Sequence, residues 1–165
     1  MEWIVDDSKD SRKVLWVYGL AGTGKSTLST TIAQIMRGLH RLGAFFFFNR
    51  DMPQRNFATL IRTLAYQLAT FDTRFCAAIS QVAANNENIA GMRLEFQFDQ
   101  LLSANALKSV EWRGGPIVLI IDALDECGNE ADRKILIQAL SKGFCGLLSF
   151  ELWLLAGRSK TFNTY

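Results

Sequence analysis

The 165-residue sequence has few of the features that mark secreted, metal-binding or membrane proteins. Its three cysteines, Cys76, Cys127 and Cys145, lack metal-ligand spacing, and their odd number argues against a disulfide framework and favours a reducing compartment. No apolar run approaches the length needed to cross a bilayer, and the charged stretch 1–13 has no apolar segment of the kind that secretory signals contain. The single histidine, His40, is most simply a surface residue. We therefore expect a soluble cytoplasmic protein.

The charge balance does not favour binding to an anionic polymer or surface. The net charge is only +2, which gives no support for binding to nucleic acid or to a membrane surface. No internal repeat or low-complexity segment is present. Apolar residues make up 49% of the chain and charged residues 21%, which is typical of one globular domain with a substantial core.

Short apolar runs alternate along the chain with segments in which apolar residues recur at helical spacing. This alternation predicts an α/β fold with three αβα layers, a mainly parallel sheet and right-handed crossovers. The predicted strands are Val14–Tyr18, Ala44–Phe48, Ile117–Ile121 and Leu152–Leu155. The predicted helices are Lys25–Leu39, Asn56–Leu68, Asp72–Ala84, Phe98–Val110 and Glu130–Lys142, with a possible short helical turn at Trp3–Val5.

The glycine-rich stretch Gly19–Ser26 reads G-x-x-x-x-G-K-S, the pattern of a phosphate-binding P-loop. Glycines let bare backbone N–H groups surround a dense negative charge, and the following helix points its positive end at the phosphates. Lys25 would lie near the β- and γ-phosphates, and the Ser26 hydroxyl would hold Mg²⁺. A predicted strand before the loop and a predicted helix after it support this interpretation. The predicted nucleotide contacts are Gly19, Gly22, Thr23, Gly24, Lys25, Ser26 and Thr27.

Acidic residues follow the most apolar predicted strand. Asp122 ends the run Ile117–Ile121, where it can hold Mg²⁺ directly or through water. Asp125 and Glu126 come just after it, and one of them could orient or deprotonate an attacking water. The alternative is a strand that ends in a solvated acidic turn. The carboxyl ends of parallel strands meet at one edge of a sheet, and this favours a composite site with the P-loop.

Arginines follow two other predicted strands. Arg158 could contact the γ-phosphate, although a solvated arginine at a strand end explains it equally well. Arg50 is most simply a residue of a surface turn. The Asn/Thr-Lys-x-Asp pattern that reads guanine is absent, which favours adenine. The expected ligands are therefore ATP or ADP with Mg²⁺.

The chain resembles the NACHT domains of fungal NOD-like receptors, which are signal-transducing P-loop ATPases related to AAA+ proteins. The resemblance runs from about residue 3 to about 160, and it is carried by Val14–Tyr18, Gly19–Ser26, Phe45–Arg50, Leu60–Leu68 and Ile121–Cys127. It implies a switch that is closed with ADP and oligomerises with ATP, in innate immunity or heterokaryon incompatibility. By resemblance, Lys25 and Ser26 bind phosphate and Mg²⁺, Asp122 serves the metal, Asp125 and Glu126 serve hydrolysis, and Arg158 is a sensor.

The resemblance has two departures. The family usually shows Thr-Ser-Arg-Pro at the sensor, where this chain has Ala156–Ser159. In relatives a fifth strand, a small helical domain and a winged helix follow the fourth strand. We therefore expect residues 1–165 to be a single, incomplete NACHT-like core, truncated after the fourth strand, with the P-loop strand at a sheet edge. Self-association through NACHT domains is expected of the full-length protein.

Other functions remain open on sequence alone. A P-loop small-molecule or nucleoside kinase would need an acceptor pocket and usually an arginine-rich lid. The amphipathic helices predicted between the second and third strands, with their scattered arginines, argue against it. A DNA-associated AAA+ motor gains no support from the net charge. A fragment that binds nucleotide without turnover is the remaining alternative.

Overall fold

Four parallel strands form the centre of the molecule. The structure, a computed structural model, describes residues 14–52, 55–103, 105–107, 109–144 and 150–157. Its strands are β1 (Val14–Gly19), β2 (Leu42–Phe47), β3 (Ile117–Asp122) and β4 (Phe150–Gly157), and they pair in the order β1-β4-β3-β2. All three pairings are parallel, so the predicted α/β class and its four strands are confirmed. The helical turn predicted at Trp3–Val5 lies outside the described residues.

Helices cover both faces of the sheet. The helix α1 (Lys25–Gly38) contacts all four strands on one face. The other face carries α2 (Leu60–Phe71), α3 (Thr73–Asn85), α4 (Leu94–Leu101) and α5 (Glu130–Phe144). One-turn 3₁₀ segments lie at Phe57–Thr59, Ile89–Gly91 and Leu124–Glu126. This arrangement is the predicted three-layer αβα core.

The central strand β3 shows how the two layers divide the core. All six of its residues are buried, as expected for a parallel strand covered on both faces. Val118 and Ile120 pack against α1 residues such as Met36. The alternate residues, including Leu119 and Ile121, belong to the larger core beneath the other four helices. Alternate residues of the apolar run Ile117–Ile121 therefore pack into two separate cores.

Gly43 explains how closely α2 approaches the sheet. A Cβ at this position in β2 would collide with the side chain of Ile117 and would crowd Leu119 and Leu68. Gln67 of α2 also bonds the β2 backbone, because its side chain accepts from the Phe45 N–H (2.9 Å) and donates to the Phe45 carbonyl (3.0 Å). Gly43 and Gln67 together therefore determine how α2 packs against β2.

The helix predicted at Phe98–Val110 is wrong. The helix α4 begins earlier, at Leu94, and ends at Leu101, and the described residues that follow form turns. The Ser103 hydroxyl donates to the Asp99 carbonyl and accepts from the Ala106 N–H, so the side chain supplies turn hydrogen bonds that compete with the helix. The apolar residues after Leu101 do not mark a helix. Leu107, for example, is buried and packs into the core from a turn.

We predict that Asp72→Ala destabilises the fold by about 1 kcal/mol at pH 7, because Asp72 is the N-cap of α3. Its carboxylate accepts from the Arg74 backbone N–H and from the Arg74 guanidinium, and the guanidinium hydrogen bond is the main reason why the pKa of Asp72 falls from 3.8 to about 2. A lowered folded-state pKa stabilises the fold above about pH 4, and this stabilisation is lost as the pH falls towards 2.

Urea unfolding at several pH values measures the effect, with Asp72→Asn as the control that keeps a capping oxygen. The difference between wild type and Asp72→Ala should shrink between pH 4 and pH 2. A difference that is constant over this range would contradict the role of the carboxylate.

Candidate functional site

The glycine-rich loop connects β1 to α1 and leaves the start of the helix open. Gly22 and Gly24 have φ angles of 79° and 84°, a left-handed conformation that favours glycine. Gly24 is the N-cap of α1, where no side chain forms a cap hydrogen bond, and the first turn holds no acidic residue. The first helical hydrogen bond runs from Leu28 N to the Gly24 carbonyl. The preceding N–H groups and the positive end of the helix are thus available to an anion.

Lys25 and Thr23 hold the loop in shape. The Lys25 ammonium donates to the carbonyl oxygens of Gly19 (3.0 Å) and Leu20 (2.7 Å), and the Thr23 hydroxyl donates to the Leu20 carbonyl (2.8 Å). An ammonium has three N–H donors, so these two contacts leave one for a ligand. The ammonium is therefore positioned over the loop by neutral carbonyl groups, and no carboxylate of the described residues pairs with it.

Asp122 is a buried carboxylate at the end of β3 that links the strand to α1. Only 2% of its surface is exposed. Its Oδ2 accepts from the Ser29 hydroxyl (2.7 Å), and its Oδ1 accepts from the Ala123 N–H (2.7 Å). A buried charge needs such hydrogen bonds to offset the loss of its water shell. The contacts fix the carboxylate beside the start of α1.

A strained turn carries the next two acidic residues. Ala123 has φ 55° and ψ 40°, a left-handed conformation that costs a non-glycine residue about 1 kcal/mol or more. The 3₁₀ turn that follows is closed by the Glu126 N–H, which donates to the Ala123 carbonyl (2.8 Å). The kink turns the chain sharply after Asp122, so Asp125 and Glu126 return to the same edge of the sheet.

These elements enclose one cleft of about 410 Å³ at the carboxyl end of the sheet. It collects eight of the predicted site residues, together with Ala21, Phe47 and Ala123. The eight are Gly22, Gly24, Lys25, Ser26, Thr27, Asp122, Asp125 and Glu126. Gly19 and Thr23 support the loop by hydrogen bonds and do not line the cleft. Arg158 lies outside the described residues.

A comparison with known protein families bears on the identity of the chain. The family model described as nephrocystin 3, N-terminal, matches residues 1–151, which is most of the chain. The chain belongs to this family. Comparison with curated proteins and with solved structures found no match. Within the described ranges, no helix of this nephrocystin 3 N-terminal family member is long and apolar enough to cross a membrane.

Sequence analysis did not identify Ser29 as a residue that supports the site. It lies one helical turn after Ser26, and with Ala33 and Met36 it forms the buried stripe of α1. A serine in such a stripe is a usable signal, since buried polar groups are nearly always hydrogen-bonded. The sequence could not identify the partner, because 93 positions separate Ser29 from Asp122.

Arg50 was expected to be only a surface turn residue. It is exposed, but its guanidinium donates to the Asp125 carbonyl (2.8 Å) and its backbone N–H donates to Glu126 Oε2 (3.3 Å). The turn after β2 therefore supports the acidic turn after β3. His40 is exposed as expected and does not line the cleft.

The oxygen groups of the cleft fit Mg²⁺. Ser26 and Asp122 supply the hard oxygen donors that this ion prefers, and each carboxylate oxygen keeps a second lone pair despite its hydrogen bond. Across the described ranges, no group of three or more His, Cys, Asp or Glu residues is arranged to hold a metal. Mg²⁺ commonly uses one or two protein oxygens, with substrate phosphates and water completing its shell. Cys127 is buried next to the acidic turn and does not line the cleft, and burial raises the pKa of its thiol to about 12.

We predict that Ser29→Ala destabilises the fold by about 1–3 kcal/mol, because it removes a hydrogen bond to a buried carboxylate. Thr30→Ala is the matched control, since the Thr30 hydroxyl donates only to a helix carbonyl on an exposed face. The control should change stability by about 0.5 kcal/mol or less. Chemical unfolding measures both, and equal losses would contradict the structural role of the link between Ser29 and Asp122.

Proposed function

We propose that the chain is an ATP- and ADP-binding switch domain with slow, Mg²⁺-dependent nucleotide hydrolysis. One observation supports this most directly: a single cleft brings together an open helix start, Lys25, the Ser26 hydroxyl, the Asp122 carboxylate and two further acids. Binding of polyphosphate needs the first two features, and metal-assisted hydrolysis needs the others. A glycine turn with an accidental lysine would not be followed by a convergent set of carboxylates.

In this proposal the chemistry of each residue decides whether it binds phosphate, holds the metal ion or positions another side chain. Backbone N–H groups of the loop and of Lys25–Thr27 bind phosphate oxygens, and the Lys25 ammonium adds a positive charge. Mg²⁺, if bound, would neutralise charge on the phosphate oxygens. Ser26 and Asp122 would hold the ion, Asp122 directly or through a water molecule. Ser29 keeps the Asp122 carboxylate in place.

Hydrolysis also requires a group that orients the attacking water and accepts its proton. Asp125 and Glu126 are the candidates, since both line the cleft beyond Asp122. Their turn is held at both ends, by Ala123 and by Arg50, so a carboxylate on it has a limited range of positions. In the proposal the water oxygen attacks the γ-phosphorus and the water proton goes to one of these two carboxylates. The bond from the γ-phosphorus to the β–γ bridging oxygen breaks, so that ADP and inorganic phosphate leave, and the carboxylate then returns its proton to solvent.

The finer assignment is a NACHT domain of a fungal NOD-like receptor, which would act in the cytoplasm and self-associate in its full-length protein. It is supported by the sequence motifs alone, and the family match carries no information on the organism. The same holds for the preference for adenine and for the sensor role of Arg158. Binding without turnover and phosphate transfer to a small acceptor are the competing functions.

We predict that Lys25→Ala weakens binding of Mg²⁺-ATP by about 10- to 100-fold, because a charge-assisted contact to phosphate is lost. Isothermal titration calorimetry measures the affinity for ATP, ADP and GTP. Lys134→Ala is the matched control, as this lysine pairs with Glu130 on the exposed side of α5. The proposed site is wrong if Lys25→Ala binds ATP as wild type does.

We predict that replacing the carboxylate that acts as general base by its amide lowers turnover by about 100-fold or more, while ADP affinity changes little. Glu126→Gln and Asp125→Asn form a matched pair, and the one with the larger loss identifies the base. Phosphate release from ATP measures turnover. Turnover unchanged in both variants would remove the acidic turn from the mechanism. Rapid transfer of phosphate to an added small alcohol would favour the kinase alternative.

A further inference from the structure

A second cleft, of about 710 Å³, lies next to the cleft that contains Lys25 and Asp122 and shares only Glu126 with it. Three segments form its walls: the turn after β2, the 3₁₀ turn before α2, and the start of α5 with the loop preceding it. We propose that this second cleft binds a small organic anion that carries a carboxylate or a phosphate group. The proposal is independent of nucleotide binding, since none of the phosphate-loop residues lines this cleft.

Charge is the first argument. Arg50 and Arg133 line the second cleft, and Glu126 is the only acidic residue that does. The Arg133 guanidinium donates to the carbonyls of Cys127 (3.2 Å) and Gly128 (3.1 Å), which fixes it at the start of α5. Its buried Nε has no hydrogen-bond partner among the described residues. This atom is closed off from the surface, so it does not itself contact a ligand. Both hydrogen bonds of the guanidinium to described residues use Nη1, so Nη2 is the nitrogen that could donate to an anionic oxygen.

The asparagines supply the second argument. The Asn49 side-chain oxygen accepts from the Asp51 N–H (2.9 Å), and the Asn129 side-chain oxygen accepts from the Asp132 N–H (3.0 Å). Both turns fix the amide orientation, because an oxygen is needed to accept each backbone proton. The hydrogen-bonding group that remains on each side chain is an NH₂ donor. The lining is therefore rich in donors, which is the pattern that binds carboxylate or phosphate oxygens.

Shape and apolar surface limit the ligand further. A volume of about 710 Å³ lies within the range of pockets that hold small organic molecules. Phe57 and Ala58 form an apolar wall of the second cleft. An inorganic ion would leave this wall and most of the volume unused. An anion with an attached ring or short hydrocarbon part would fit better, because its charged group can contact the donors while its apolar part packs against the apolar wall.

The test is a titration followed by NMR of the side-chain amide groups of Asn49 and Asn129, in wild-type protein with Mg²⁺-ADP present. Phenyl phosphate and benzoate are the probes, and benzyl alcohol is the neutral control. Both anions should shift these resonances in a saturable way, and benzyl alcohol should not. The tighter of the two anions identifies phosphate or carboxylate as the preferred group. The readout is local, so it separates this site from the phosphate loop even if nucleotide does not bind.

Substitution of the two arginines tests whether the resonance shifts report binding in the second cleft. Arg50→Gln and Arg133→Gln should each weaken binding of the tighter probe by about 10-fold, the effect of losing one charge-assisted hydrogen bond. Arg93→Gln is the control, because Arg93 is exposed and lies outside the second cleft. Should Arg133→Gln fail to fold, Arg50→Gln still decides. The proposal is overturned if neither anion shifts these resonances, if benzyl alcohol binds as well, or if Arg50→Gln binds as tightly as wild type.

Discussion

The hydrogen bond between the Ser29 hydroxyl and the buried Asp122 carboxylate is the contact on which the site depends. It joins the helix that follows the phosphate loop to the strand that carries the acidic turn. The two elements lie on different layers, and a buried carboxylate without partners would be strongly unfavourable. The same contact therefore stabilises the packing of α1 on the sheet and sets the position of the oxygen that would serve a metal.

Parallel pairing supplies the second constraint. Since all four described strands run the same way, the ends of β1, β2 and β3 meet at one edge. The strand β4 lies between β1 and β3, so ordinary strand spacing separates the ends of β1 and β3 by about 10 Å. The loop after β1 and the turn after β3 line the cleft from these two ends. The turn after β2 then closes the site from the other side, through the contacts of Arg50 with the acidic turn.

Glu126 connects the two clefts. It lines both, and its Oε2 accepts from the Arg50 N–H at the boundary. The cleft that contains Lys25 has an open helix start and three carboxylates, whereas the second cleft has arginine and amide donors with an aromatic wall. The two clefts are lined by different segments of the chain, so their chemistry differs and they would suit different ligands. Membership of the nephrocystin 3 N-terminal family covers both clefts, because the match extends over residues 1–151.

The sequence by itself determined the fold class, the four strands and most of the first cleft. Those features depend on local rules: apolar runs make buried parallel strands, glycines allow the left-handed loop, and a carboxylate ends β3. Local rules failed for α4, where the Ser103 hydroxyl ended a helix that apolar spacing had extended to Val110. Only the tertiary structure decided the partners of Ser29 and Arg50 and the existence of the second cleft. These depend on residues more than 70 positions apart in sequence, which meet because the sheet brings their strand ends to one edge.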